Sequence, residues 1–523
     1  MIRRLMTSTS DWFTRLPDGE LLDDSIDDSA ETPIEEPVGT GEPISHGDLH
    51  RRVRQGGLWV LAGRTSGIGL TVIMNVVLAR WVLSRDDFGA FVLISSMIGL
   101  ASTFAMFGLN GAIVPLVSRN LALLNVAAVR RALRLTIIAV LISGGTAALV
   151  TPWALRFVTF DFPLTGALPW LIAGCALLLA WQQVGAEALR GFHDQRWANV
   201  LSGGQVGGPL TLLLFVSLVA ASLLVERPTL TGLVAMLFGS LSCTVLWTGV
   251  CMVRDLPHQA MQQHAANGSS MVPTANDLLR LCVPLLLIQL LVFVAAQADV
   301  WIAGYYVPAG QLAVYAAARR LILLTAIPLQ IAAATVAPSI AELHAHGRIT
   351  ELQTMLRSAA GVASLPAIVA LLAVTVAGGL ILRLVFGPGY EAGYSVVVIL
   401  GIGQLIFNWC GVCGTALIMT GHQNVALVAT GATSAILVIV GPPLTARFGI
   451  QGLAFASALG LSVQNLTIWV LARRYLGIWT HANFSWGRIT WKPLRRRSDR
   501  AAAVACQQNE SSPARWSEEC TEV

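Results

Sequence analysis

The fold of this chain is decided by the stretch Leu278–Ser339, which reads LLRLCVPLLLIQLLVFVAAQADVWIAGYYVPAGQLAVYAAARRLILLTAIPLQIAAATVAPS. It contains two apolar runs, Leu278–Tyr306 and Gln311–Ser339, joined by the short turn Val307–Gly310. A helix needs ~20 apolar residues to cross the hydrocarbon core of a bilayer. Each run is long enough, so the stretch predicts a hairpin of two membrane-spanning helices.

Apart from Arg280 at the start of the first run, three charged residues lie inside these runs: Asp299 in the first, and Arg319 and Arg320 in the second. A charge at the bilayer centre costs about 2.5–3.5 kcal/mol even on insertion scales, so such residues usually face a cavity or a partner. The turn brings the three to roughly the same depth. The sequence leaves two interpretations open: an Asp–Arg pair across the hairpin, or a substrate or ion site at that place.

The composition is that of a membrane protein with many spans. Only 12% of the 523 residues are charged and the mean hydropathy is +0.67, whereas average proteins carry about 25% charged residues. Long apolar runs that do not alternate predict helices and not barrel strands. Cys410 and Cys413 form a CxxC pair inside such a run, where two packing residues are the simpler interpretation. No enzyme signature is visible, so we expect no enzymatic activity, metal site, cofactor or nucleic-acid partner.

The apolar runs predict an all-α fold with about twelve spans in two bundles of six. The first bundle covers 56–252, with spans at 57–79, 88–110, 132–151, 167–189, 198–225 and 229–252. The second covers 278–475, with spans at 278–306, 311–339, 359–379, 395–420, 424–445 and 449–472. Outside the bundles lie a disordered acidic tail (1–55), a linker (253–277) and a basic, polar tail (476–523). Arginines concentrate on the side of the tails and linker, which the positive-inside rule assigns to the cytoplasm.

The two bundles are predicted to be a parallel repeat. Val76–Ile94 reads VVLARWVLSRDDFGAFVLI and Val300–Ala318 reads VWIAGYYVPAGQLAVYAAA, an offset of 224 residues. Shorter matches follow in the same order at similar offsets. Because each half has an even number of spans, both halves start on the same side and are related by an axis along the membrane normal.

The first span contributes the candidate binding face. Arg64, Thr71 and Asn75 fall on one side of a helix, with Arg64 in the half of the membrane nearest the N-terminal tail. Arg64 either snorkels to the interface or faces a cavity, where its planar fork would suit a phosphate. Glu187 lies three residues before Arg190, so a local ion pair and a proton-coupling site are both open.

A seven-residue pattern between the first two spans resembles a known family; it consists of Leu78, Ala79, Arg80, Asp87, Phe88, Gly89 and Phe91. Together with its surroundings it resembles the polysaccharide-export and lipid-linked oligosaccharide flippases of the multidrug/oligosaccharidyl-lipid/polysaccharide superfamily. The likeness covers roughly 55–475. It implies a MATE-like fold of two six-helix bundles around a partly cationic cavity.

The resemblance also implies a function. Such a protein moves an undecaprenyl-pyrophosphate-linked oligosaccharide from the inner to the outer leaflet of the bacterial inner membrane, for cell-surface polysaccharide synthesis. Arg64 with Arg319 or Arg320 are the matching candidates for holding the pyrophosphate. The implied partners are the lipid-linked oligosaccharide, membrane lipid, a polysaccharide polymerase and glycosyltransferases.

Two other functions are open from the sequence. A cation-coupled multidrug exporter of the same superfamily would share the fold, but it would want carboxylates in the cavity of the first bundle. The first span supplies Arg64 and no acid. A scaffold within a polysaccharide synthesis complex would need no cavity charge at all.

Overall fold

The structure is a computed structural model, and it describes residues 63, 65–122, 126–157, 166–261, 275–345 and 347–482. The predicted N-terminal tail, Arg64, most of the linker and the C-terminal tail beyond residue 482 lie outside the described residues. Within the described ranges the chain is helical, and its β-type pairing consists of one isolated bridge between Gly204 and Gly207.

Eight helices make up the first half. They are α1 (Thr65–Val82, ending in a π-helical turn from Leu78), α2 (Arg85–Met106), α3 (Leu109–Ala122), α4 (Val126–Ala154), α5 (Leu168–Gly191), α6 (Gln195–Leu201), α7 (Pro209–Ser222) and α8 (Leu230–Met261). The start of α2 follows from the sequence. Ser84 accepts a hydrogen bond from the backbone N–H of Asp87, which is the usual way to cap a helix N-terminus.

Seven helices make up the second half. They are α9 (Ala275–Tyr306), α10 (Ala309–Leu324), α11 (Ile327–Ala345), α12 (Ile349–Phe386), α13 (Tyr394–Cys410, after a 3₁₀ turn at Tyr390–Gly393), α14 (Cys413–Met419) and α15 (Gln423–Leu476). Within α15, Gly449 adopts φ 59° and ψ −142°, so α15 is two helices joined at a kink.

Nine of the described helices are long and apolar enough to cross a membrane alone, and α10 and α11, which are bent by 45°, pass that test together as a tenth span. Two spans fall within α15 because of the kink at Gly449. The short α6 and α7 together fill the place of the predicted fifth span. The all-helical architecture expected from the sequence is therefore present in the described residues.

Four predicted spans are not continuous helices. The predicted span 88–110 stops at Met106, where Phe107 and Gly108 both take positive φ. The span 198–225 is interrupted at 202–208, which contains four glycines. The span 311–339 bends after Leu324, and 395–420 is interrupted at Gly411, with φ 72°. Glycine, which favours such conformations, is apolar enough to leave the hydropathy of a run unchanged, so the runs predict the spans but not their breaks.

A break inside a bilayer must satisfy the backbone groups that it frees. At 202–208 two side chains of α5 do this. Gln182 donates to the carbonyl of Leu201 at 2.9 Å and to the hydroxyl of Thr211 at 2.7 Å. Gln183 donates to the carbonyls of Gly203 and Gly204. The interruption is thus held in one conformation by its neighbour.

The two halves meet tightly at the end of the bundle where α1 leads into α2. A Cβ added to Gly89 would lie 1.8 Å from the carbonyl oxygen of Ala309, so α2 touches the backbone of α10. Nearby, the Arg85 guanidinium lies 5.9 Å from the ring of Tyr390 and 3.4 Å from the carbonyl of Pro388. This end of the molecule is therefore closed between the halves.

We expect Gly89→Ala to destabilise the protein by about 1–3 kcal/mol, because its Cβ must push the α2 and α10 backbones apart. Gly239→Ala is the matched control, since a Cβ there meets no atom within 4 Å, and it should be neutral or stabilising by about 0.4–1 kcal/mol. Thermal unfolding of both purified variants measures this. Equal midpoints for the two would contradict the close approach.

Candidate functional site

A small polar cavity lies where the two halves meet. It is lined by Met74, Asn75, Phe91, Val92, Ser95, Gln205, Val206, Gln297, Val300, Ala316, Arg319 and Arg320. Its volume is about 20 Å³, which is room for about one water molecule. In this conformation the cavity is therefore closed around its own polar side chains.

Asp299 and Arg319 form an ion pair across the α9–α10 hairpin. The Nε of Arg319 lies 2.9 Å from Oδ2 of Asp299. The same oxygen accepts a hydrogen bond from the hydroxyl of Tyr315 at 2.8 Å, and Oδ1 accepts one from the backbone N–H of Val300 at 2.9 Å. Arg319 also donates through Nη2 to the carbonyl of Ala296. Both carboxylate oxygens are bonded, and the Nε and Nη2 atoms of Arg319 are used within the hairpin.

The neighbouring Arg320 has no such partner. It lines the same cavity and is partly buried, but it makes no hydrogen bond or ion pair to another described residue. Consecutive residues of a helix point about 100° apart, which explains how one arginine reaches Asp299 while the next faces the cavity. The described charges at this level are two arginines and one carboxylate, so they sum to one positive charge.

From the first half, Asn75 reaches this cavity and Thr71 does not. Asn75 is 2% exposed and donates through Nδ2 to the carbonyl of Thr71 at 2.6 Å. Thr71 lies one turn away and bonds the carbonyl of Gly67 at 2.7 Å. Arg64 lies outside the described residues. Of the five predicted binding residues, Asn75, Arg319 and Arg320 are therefore brought together.

Glu187 lies elsewhere and is paired locally. Both of its carboxylate oxygens accept from Nη1 of Arg190, at 2.7 and 2.8 Å. The Glu187 side chain is 18% exposed. The geometry is that of an i,i+3 ion pair on one helix, and Glu187 does not line the cavity.

Three polar lining residues were missed by sequence reasoning: Ser95, Gln205 and Gln297. Gln205 lies on the interruption at 202–208, and the run of glycines was the signal that could have found it. Gln297 precedes Asp299 by two residues. Next to Ser95, Ser96 accepts a hydrogen bond from the indole N–H of Trp301 at 2.8 Å, which links the two halves beside the cavity.

The lining is chemically suited to an anion. It offers the guanidinium of Arg320, part of that of Arg319 and the amides of Asn75, Gln205 and Gln297. The described lining residues include no carboxylate, and the nearby Asp299 is already neutralised by Arg319. Charge-assisted hydrogen bonds from guanidinium groups are the strongest interactions that such a site can give to phosphate oxygens.

Known proteins resemble this chain in sequence and in fold. One similar sequence is the "Probable low-salt glycan biosynthesis flippase Agl15" of Haloferax volcanii, 24% identical over 193 residues. That alignment covers 37% of this chain and 40% of the relative, so the chain matches about two fifths of its length.

Two solved structures share the fold. Lipid II flippase MurJ in an inward closed conformation has a TM-score of 0.57 at 12% identity, covering 80% of this chain and 87% of MurJ. An inward-facing multidrug resistance MATE family transporter of the MOP superfamily has a TM-score of 0.56 at 14% identity. The match covers 80% of this chain and 98% of that transporter.

The family model described as "Polysaccharide biosynthesis protein" matches residues 53–344. This region is more than half of the chain, and it includes the seven-residue pattern, the hairpin and every described residue of the cavity lining. The chain belongs to the polysaccharide biosynthesis protein family.

Proposed function

We propose that this protein flips an undecaprenyl-pyrophosphate-linked oligosaccharide from the inner to the outer leaflet of the bacterial inner membrane, for cell-surface polysaccharide synthesis. The observation that carries the proposal is Arg320, a cavity cation that forms no ion pair or hydrogen bond with another described residue. Membership of the family and the flippase relative support the substrate class. The sugars and the pyrophosphate need a polar path through the bilayer, whereas the lipid tail can remain in hydrocarbon.

The two adjacent arginines have different roles in this proposal, one structural and one in substrate binding. Arg319 is held by Asp299 and by a backbone carbonyl, so its main task is to keep the α9–α10 hairpin intact. Arg320 is available to bind the pyrophosphate oxygens. On the first half, Asn75 supplies an amide, and Arg64, on the same helical face by sequence, is a second candidate ligand of the pyrophosphate.

Transport in this proposal requires the halves to separate. Ligand sites for small molecules usually occupy about 300–1,000 Å³, whereas this cavity measures about 20 Å³. The tight contact around Gly89 closes one end of the interface between the halves. Rocking of one half against the other would open the cavity first to one leaflet and then to the other.

A cation-coupled multidrug exporter is the second candidate, because the MATE fold is shared. Such a transporter binds cationic drugs best with an ionised carboxylate in its cavity. Here Asp299 is neutralised by Arg319, and the remaining charge is positive. The electrostatics therefore favour an anionic substrate.

The first prediction from this proposal separates the roles of Arg319 and Arg320. The effects of Asp299→Asn and Arg319→Gln on the free energy of unfolding should not add, and the coupling between them should be roughly 1–3 kcal/mol. The reason is that either single substitution leaves an uncompensated buried charge. The matched control is a double-mutant cycle of Asp299→Asn with Arg320→Gln. It should give less than half of the coupling measured with Arg319→Gln. The measurement is unfolding of the purified proteins in mixed micelles. Equal coupling of Asp299 to Arg319 and to Arg320 would refute the different roles proposed for the two arginines.

A second prediction concerns transport. Arg320→Ala should abolish export at a normal protein level, while Arg320→Lys should retain part of it because the charge remains and the planar fork is lost. Arg64→Ala should also abolish export with the protein still in the membrane. Arg131→Ala, an exposed arginine of α4, is the control and should export normally.

The transport assay measures surface glycan and lipid-linked intermediate in the outer leaflet of cells that carry each variant as the only copy. Normal export by Arg320→Ala would refute the proposed substrate site. Loss of drug resistance with unchanged glycan would point to the exporter instead.

A third prediction concerns orientation. We expect both termini in the cytoplasm, because the arginines concentrate on that side and the predicted span number is even. A reporter that is active only in the periplasm should stay inactive when fused at the C-terminus and become active when inserted between Val225 and Thr229. The opposite pattern would invert the proposed topology. Cytoplasmic termini would also allow the tails to meet glycosyltransferases, whereas a polymerase would use the product on the far side.

A further inference from the structure

The chain turns back on itself after α15. We call residues 477–482 the C-terminal strap. Its backbone N–H groups at Trp479 and Ala482 donate to Gln353 Oε1 and to the carbonyl of Trp409, at 2.9 and 3.1 Å. The hydroxyl of Thr480 donates to the carbonyl of Cys410 at 3.0 Å. These bonds fix the strap against α12 and α13, although the sequence analysis assigned it to the tail.

Aromatic rings gather where the strap lies. Trp469 of α15 lies 5.1 Å from Trp409, 4.8 Å from Trp479 and 6.0 Å from His481 between ring centroids. His481 stacks on Trp409 at 5.6 Å. Trp409 is 44% exposed, so one side of the cluster faces outward from the bundle. Tryptophan is enriched where a membrane protein crosses the interface between hydrocarbon and head groups.

Arg357 brings a charge to this cluster that no described carboxylate balances. Its Nη2 lies 3.2 Å from Nε2 of His481. An arginine can only donate, so Nε2 accepts and the proton of the imidazole is on Nδ1. Burial, and then the charge of Arg357, lower the pKa of His481 below its usual value, which favours the neutral imidazole that this hydrogen bond requires. Glu351, six residues before Arg357 on α12, is paired with Arg348.

Three buried donors of the cluster have no hydrogen-bond partner among the described residues: Arg357 Nε, His481 Nδ1 and Trp469 Nε1. Buried polar groups in folded proteins are nearly always satisfied. The three belong to side chains in one contiguous cluster, and all three are donors. They would be satisfied by a group that only accepts hydrogen bonds and carries negative charge.

A second arginine, Arg473, contacts the strap. The guanidinium of Arg473 lies 4.8 Å from the ring of Trp479 and also donates to the carbonyl of Gly477. Both Arg357, within three turns of the start of α12, and Arg473, in the last turn of α15, lie near the end of the bundle where the chain leaves it. Basic residues at this level attract anionic lipid head groups.

We propose that Arg357, His481 and the surrounding tryptophans bind the phosphate head group of an anionic phospholipid. The phosphate oxygens accept from the arginine and the two ring N–H groups, while the acyl chains run along the exposed face of Trp409. Free phosphate offers the same oxygens but no acyl chains, so it should bind much more weakly. The site is separate from the cavity, and it does not depend on the proposed transport substrate.

The test uses the full-length protein in neutral detergent, titrated with phosphatidylglycerol, with phosphatidylcholine or with inorganic phosphate. Lipid binding is followed by quenching of tryptophan fluorescence with brominated acyl chains. We expect saturable binding of phosphatidylglycerol that Arg357→Gln weakens about tenfold or more, the effect of losing one charge-assisted hydrogen bond. Arg348→Gln, whose arginine is paired with Glu351, should stay within about twofold of the parent.

Two further measurements keep the result decisive. Arg357→Lys retains the charge and should bind with intermediate affinity, which covers the case that Arg357→Gln does not fold. Trp409→Phe should reduce the quenching without abolishing binding. Equal affinities of the parent and the folded Arg357 variants, or of phosphatidylglycerol and phosphatidylcholine, would overturn the proposal. Inorganic phosphate that binds as tightly as the lipid would overturn the assignment to a lipid.

Discussion

Every backbone N–H and C=O group inside a bilayer needs a partner, and this constraint governs where the helices of this protein can be interrupted. The glycine-rich interruption at 202–208 persists because two glutamines of α5 satisfy the carbonyls that it frees. At Phe107 and Gly108 the left-handed turn is packed against the start of α9, where a Cβ on Gly108 would lie 2.4 Å from the carbonyl of Cys282. Irregular backbone therefore occurs where another helix covers it, and one interruption delivers Gln205 to the cavity.

The cavity follows from a second constraint, the cost of an isolated charge in a medium of low polarity. Asp299 is bonded by Arg319, Tyr315 and its own backbone neighbour, which makes it a structural anchor. Because the charge of Arg319 is balanced by Asp299, the adjacent Arg320 gives the cavity its net positive charge. Two neighbouring residues of the same type thus have different surroundings, and helix geometry alone separates them.

Much of this architecture could be predicted from the sequence, because length and hydropathy specify a span regardless of its neighbours. The sequence also predicts that Asp299 and the arginines lie at a similar depth in the membrane, because the turn of the hairpin is short. Which arginine pairs with Asp299 depends on side-chain direction across two helices, and no local pattern carries that information. Gln297 was missed for the same reason, whereas the glycines around Gln205 were a local signal for that residue. Gly411 interrupts a run whose average hydropathy is unaffected by it, whereas the kink at Gly449 falls at the boundary between the predicted spans 424–445 and 449–472.

The pair Arg319–Arg320 also bears on how the protein enters the membrane. The helix that carries them, α10, has only 16 residues, and two unpaired arginines would add roughly 5–7 kcal/mol to its transfer into lipid. The preceding helix, α9, holds the carboxylate that neutralises one of them. Biogenesis should therefore favour release of the two helices from the translocon together, with α9 retained until α10 has been synthesised. The order of synthesis supplies the anion before the cations that need it.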